Sequence, residues 1–146
     1  VPKGWTVKEE YYDLDAYTLN LLSSDAQLNK KTTLNKGCGI SLNTLQDKLE
    51  VAYINSLIAY ISEAEGKHIS SGDVTETVIE ISGRPAYKTI NTTIDTRFLE
   101  TFGRITQVKV PANDVNLILI DSSIMPISQP DCDSKFEKFL LSFLIK

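Results

Sequence analysis

The stretch from Asn43 to Gly66 constrains this chain most. It alone repeats apolar residues at helical spacing over several turns, while most of its surroundings alternate like strand. Asn43 with Gln46 three residues later has the spacing of a capping box, and Gly66 suits the left-handed residue that closes a helix. The expected helix therefore covers 44–65. Leu45, Leu49, Ala52, Tyr53, Leu57, Tyr60, Ile61 and Ala64 recur at steps of three and four and share one face, the one expected to be buried. Asp47, Lys48, Asn55, Ser62 and Glu65 gather opposite, and Val51, Ile54 and Ile58 widen the apolar arc.

A helix this apolar needs a broad surface to lie on, and the rest of the chain supplies strands. Thr75–Ile81 alternates, Ser82-Gly83-Arg84-Pro85 interrupts it, and 86–94 reads as its hairpin partner. Arg97–Val110 offers more strand. Val115–Ile120 is a continuous apolar run, expected as a central strand covered on both faces. Tyr11–Leu22 alternates without a clean polar side. Asn35–Gly39, Lys67–Asp73 and Asp121–Pro130 read as loops. At the end, Asp133 or Ser134 caps a second helix whose Phe136, Phe139, Leu140, Phe143 and Leu144 form a narrow stripe. The expectation is one α+β domain over 1–146, with a single antiparallel sheet of about five to seven strands. One long central helix and a C-terminal helix pack on it.

With 146 residues, 42% of them apolar and 23% charged, the chain is long enough for a real core and polar enough for a globular protein. Its net charge of −4 argues against nucleic acid as partner, since phosphate recognition wants a basic surface. No apolar run is long enough to span a bilayer as a helix. The chain opens without Met, which reads as a trimmed end from which an export signal or lipid anchor has been removed. Cys38 and Cys132 are either a disulfide of an exported, extracytoplasmic chain or two free thiols of a cytosolic one.

Three segments carry a resemblance. Pro2-Lys3-Gly4-Trp5 opens the chain, Ile81-Ser82-Gly83-Arg84-Pro85-Ala86-Tyr87 forms its middle turn, and Phe136–Ile145 is its closing Phe-rich helix. Their order and spacing resemble the PsbP-like family of photosystem-II extrinsic subunits, a Ran-GTPase-binding import factor and DcrB-type lipoproteins. The resemblance implies a sheet flanked by helices and a binding or assembly role without enzymatic activity. The first forty residues, with their alternating Tyr and Leu, depart from that family's pattern.

The residues that carry chemistry are few. His68 is the only histidine. A Cys38 nucleophile with His68 as base and Asp73 as orienter is the one hydrolase triad the composition permits. A solvated loop histidine is the plainer reading. Asp131 and Asp133 flank Cys132, and Asp13 lies near Asp15. Neither pair has the dense ligand spacing of a calcium loop, and capping explains Asp133 better. Zinc would need more Cys and His, and there is no phosphate loop or nucleophile elbow, so no cofactor is expected. Asn91-Thr92-Thr93 is a glycosylation sequon.

Three functions compete at this stage. The leading one is a non-catalytic binding or assembly module, exported or lipid-anchored, that docks a protein partner. The second is a carrier holding a small apolar ligand between helix 44–65 and the sheet, against Tyr53, Leu57, Tyr60 and Ile61. The third is the Cys38/His68 hydrolase.

Overall fold

The computed structural model describes residues 3–13, 16–28, 34–63, 68–71, 74–95, 100–125 and 130–142. In chain order the elements are β1 (Thr6–Asp13), β2 (Ala16–Leu22), β3 (Gln27–Leu28), β4 (Leu34–Gln46), α1 (Lys48–Glu63), β5 (His68–Ser71), β6 (Val74–Ile81), β7 (Arg84–Asp95), β8 (Glu100–Pro111), β9 (Asn116–Met125) and α2 (Pro130–Leu141). The strands form one antiparallel sheet in the order β1-β2-β4-β9-β8-β7-β6-β5, with the short β3 paired to β4.

This corrects the expected α+β sheet of five to seven strands with a long helix over 44–65. The described sheet has nine strands, and the helix is confined to 48–63. The difference comes from segments that read as loop or as helix start. Asn43–Gln46 has capping spacing, yet these residues ladder with Leu119, Ile118, Leu117 and Asn116 of β9, and cross-strand pairing wins over the local signal. The cap is Asp47 instead. Its Oδ1 accepts from the backbone N–H of Leu49 at 3.0 Å and of Glu50 at 3.1 Å, a contribution of about 1 kcal/mol. Gly37 to Gly39 belongs to β4, His68–Ser71 to β5, and β9 runs on through Asp121 to Met125. The ambiguous Tyr11–Leu22 stretch divides between the paired β1 and β2. Leu34 opens β4, and Phe143 and Leu144 lie outside the described residues.

The Ser82-Gly83 link between β6 and β7 has φ of 52° and 76°. Two positive φ values make the mirror-image turn whose twist suits a two-residue hairpin, and glycine takes the second position without cost. Gly37, with φ of 95°, is needed for a second reason. A Cβ there would stand 2.6 Å from Ala26 Cα and 2.9 Å from Ser23 Oγ. The turn at 23–26 folds against this bare backbone, and Ser23 Oγ accepts from Cys38 N at 2.9 Å while donating to Asp25 at 2.7 Å.

Paired residues on neighbouring strands share a face, so the registers sort the side chains into two sets. One face carries Ile40, Leu42, Val108, Val110, Ile118, Ile120 and Ile124, all buried with Cys132, Phe136 and Leu140 of α2. The other carries Leu117, Leu119, Tyr87 and Val78 against Val51, Ile54 and Ile61 of α1. The two helices thus lie on opposite sides, and β9 is buried on both. Ion pairs position them: Glu50 with Lys109 at 3.0 Å for α1, Glu137 with Lys88 at 3.3 Å and Asp133 with Arg104 for α2.

Candidate functional site

α1 covers only one end of its face. Its start is held by Asp47 N–H donating to Val115 O at 2.8 Å, beside the turn between β8 and β9. Its last turn brings Ser62 to the turn between β6 and β7, where a cleft of about 340 Å³ is lined by Ser62, Val78, Glu80, Gly83 and Pro85. Both turns lie at the same end of the sheet, so the helix crosses the strands there. The row of side chains beneath it runs Leu119, Lys109, Tyr87, Val78.

The next row along the strands is polar on six consecutive strands. Asn20 of β2 pairs with Ser41 of β4, Ser41 with Asp121 of β9, Asp121 with Gln107 of β8, Gln107 with Thr89 of β7, and Thr89 with Glu76 of β6. One row further lie Gly39, Ser123, Ile105 and Asn91, with Ile105 and Asn91 exposed. Among the described residues no helix lies over these two rows. The same strands place leucine, isoleucine and valine on their opposite face, so the alternation is what a sheet with one packed and one open side produces.

Several of these polar groups are tied to one another. Thr18 Oγ1 donates to Asn43 Oδ1 at 3.0 Å, and Asn43 Nδ2 donates to Ser41 Oγ at 3.1 Å. Burial pushes the Asp121 carboxyl above the ordinary carboxylate value, outweighing the opposing influence of Lys109 and of Gln107. The Tyr87 phenol is held protonated far above its usual range, first by burial, then by the nearby Glu76 carboxylate, and then by Tyr53.

That influence puts Tyr53 near Tyr87, and Glu50, three residues earlier and so on the same side of α1, pairs with Lys109. Leu49, Tyr53 and Tyr60 are four and eleven residues apart from first to last, which returns them to one side of a helix. All three are exposed, at 84%, 58% and 65%. The expected buried face is therefore corrected. The helix sits on Val51, Ile54 and Ile61, with Leu57 and Ile58 half-buried, and is rotated so that Leu49, Tyr53 and Tyr60 point away from the core. The four residues expected to line a pocket under the helix are split. Ile61 is fully buried in the helix–sheet contact, Leu57 is half-buried, and Tyr53 and Tyr60 stand on the open flank. None of them lines the 340 Å³ cleft.

Cys38 and Cys132 are both buried and stand at disulfide distance, Cα to Cα 6.1 Å, joining β4 to the first turn of α2. The thiolate that a hydrolase would need from Cys38 is thereby removed. His68 opens β5; its side chain, like Asp73, lies outside the described residues. Asp131 is exposed and Asp133 pairs with Arg104. Asp13 ends β1, and Asp15 lies outside the described residues. Asn91 of the sequon is an exposed residue of β7. A smaller cleft of about 190 Å³ beside the disulfide is lined by Trp5, Ser23, Asp25, Asp131 and Lys135. Among the described residues no helix is long and apolar enough to cross a membrane.

The polar row escaped sequence reasoning because its members come from six strands and meet only through register. One local signal pointed to it. In Cys38-Gly39-Ile40-Ser41-Leu42-Asn43 the apolar residues alternate with small polar ones, the pattern of a strand with an open side.

Asp121 makes the electrostatics of this row testable. The folded chain holds its proton to higher pH than the unfolded chain does, so this group's effect on stability is most favourable below the unfolded value of 3.8 and declines as pH rises through the folded one. Asp121→Asn is expected to raise the unfolding midpoint at about pH 7 relative to wild type and to lose that advantage at about pH 3. Parallel thermal scans across that range check it, and an advantage that grows on acidification would contradict it.

Comparison with protein families, curated proteins and solved structures gave no match for this chain.

Proposed function

We propose that the chain is a non-catalytic binding or assembly module that docks a protein partner through the exposed flank of α1 and the open strip beside it. The observation that carries this reading is the outward placement of Leu49, Tyr53 and Tyr60 on one side of a helix that packs on the sheet through Val51, Ile54 and Ile61. Burying large side chains of this kind stabilises by roughly 1.5–3 kcal/mol each, so a chain that leaves three together in water forgoes stability that a partner can recover. Tyrosine supplies large contact area with few rotatable bonds, which suits a recognition surface.

The disulfide supports an extracytoplasmic site of action, exported or lipid-anchored, because such bonds persist in oxidising compartments. The resemblance to the PsbP-like family, whose members work by binding and assembly, supports the same reading. Among the described residues, Lys3-Gly4-Trp5 precedes β1, Ile81–Tyr87 spans the turn between β6 and β7, and Phe136–Leu141 lies in α2.

The test is retention of partners from the native envelope fraction by wild type and by a Leu49→Ser/Tyr60→Ser variant. Both substitutions are on exposed positions, so circular dichroism should show an intact fold. The expected result is a discrete partner whose recovery falls about tenfold in the variant. Equal recovery by both proteins rejects this surface as the docking site.

A further inference from the structure

We infer that the open strip beside α1 recognises a neutral oligosaccharide lying across the strands. The inference rests on the reading of this face as the working surface and names the chemistry met there, a sugar chain displayed by the partner.

The lining is suited to hydroxyl groups. Asn20, Ser41, Asp121, Gln107, Thr89 and Glu76 form an unbroken row of amides, hydroxyls and carboxylates. An amide or carboxylate presents two adjacent polar atoms, and neighbouring hydroxyls of a sugar ring can engage both at once. The row makes five steps between strands about 4.8 Å apart, a length of roughly 24 Å. A strip of that length, open along its side, fits several linked rings better than a single enclosed one.

The groups are also held in place before any ligand arrives. Thr18 Oγ1 donates to Asn43, and Asn43 donates to Ser41. Fixed side chains lose little freedom on binding, which matters for a ligand whose hydroxyls are well solvated in water. Tyr53 and Tyr60 are exposed on α1, which packs on the row of side chains next to this strip. The apolar C–H face of a sugar ring can lie against such a phenol ring while its hydroxyls reach the floor.

Charge selects the class of glycan. Lys109, in the row beneath α1 that borders this strip, contacts Glu50 at 3.0 Å and interacts with Asp121 as well. It is matched by carboxylates on both sides, so a sulfate, phosphate or uronate would meet Asp121 and Glu76 without an available counter-ion among the described residues. Uncharged hydroxyls meet no such repulsion.

The experiment is titration of the full chain with neutral hexasaccharides of β-1,4-glucose, β-1,4-mannose, β-1,4-N-acetylglucosamine and α-1,4-glucose, with a hexagalacturonate as the charged counterpart. Binding is followed by calorimetry and by amide chemical shifts. The proposal expects at least one neutral hexamer to bind, with shifts concentrated on β4, β9, β8 and the Tyr53 flank. The matching disaccharide and the hexagalacturonate should each bind at least tenfold more weakly. Gln107→Ala on the floor and Tyr53→Ala on the wall should each weaken binding tenfold or more with an unchanged fold. Absence of binding by every neutral hexamer at millimolar concentration, equal binding of the charged one, or indifference to both substitutions overturns it. Partner retention separates the two readings. Loss in Leu49→Ser/Tyr60→Ser but not in Gln107→Ala leaves a docking surface without sugar recognition, whereas indifference of retention to Leu49→Ser/Tyr60→Ser removes the docking surface itself.

Discussion

Replacing Cys38 and Cys132 together by alanine is expected to cost roughly 4–5 kcal/mol of unfolding free energy, because the bond closes a loop across a sequence separation of 94 residues. For a chain of this size that corresponds to a fall in the thermal midpoint of about 10–15 °C. The loop encloses β4 to β9 and α1, so the unfolded chain gains freedom along most of the sheet when the bond is absent. The native state loses something too. Among the described residues α2 keeps Phe136 and Leu140 in the core and Phe139 packed against it, plus the Arg104–Asp133 and Lys88–Glu137 pairs, and partly exposed pairs contribute little. Its first turn is therefore expected to loosen before the sheet does. Alanine is the right replacement, since a serine hydroxyl at buried Cys38 would add a polar group to an apolar site. Thermal scans of wild type with and without reductant, beside the double variant, check the prediction. A drop of under about 3 °C in both would mean that the unfolded chain is already compact without the bond.

Much of the strand layout was legible, and the reasons are local. Ser82-Gly83-Arg84-Pro85 between two alternating runs is a hairpin signal carried by backbone preference, and the structure turns on Ser82-Gly83 and takes Arg84 and Pro85 into β7. The continuous run at Val115–Ile120 reads as a central strand because nothing polar interrupts it, and β9 is paired on both edges. The misreadings are equally physical. Asn43 and Gln46 satisfy a spacing rule that needs only four residues, while their pairing with β9 depends on a strand some seventy residues away that no window can see. Ser122 sits where Pro126 and Pro130 suggest a loop. Its hydroxyl is nevertheless buried between Ile40 and Thr106, and the ladder continues past it. The polar row is the extreme case. Each member is an ordinary polar residue, and only register makes them neighbours.

The orientation of α1 was the costliest ambiguity, and a pair of adjacent substitutions tests it. The helix is apolar around more than half of its circumference, so periodicity offered two arcs, one centred near Tyr53 and one near Ile54. Ile54 has no solvent exposure and lies among Tyr87, Leu117, Val51 and Ile61. Ile54→Ala is expected to cost about 2–5 kcal/mol, from the lost transfer of its methyl and methylene groups and from the cavity left against β9. Tyr53→Ala removes more atoms, but they are largely in water, so it should shift stability by no more than about 1 kcal/mol. Urea unfolding monitored by circular dichroism gives both values, with equal m-values ensuring that the same surface is exposed in each case. The arc centred on Tyr53 would make the larger side chain the costlier one to truncate. The buried arc centred on Ile54 makes the smaller one costlier, and it leaves the tyrosines free to meet a partner. An inverted order would turn the helix over, bury Tyr53 and Tyr60, and take the wall away from the polar strip.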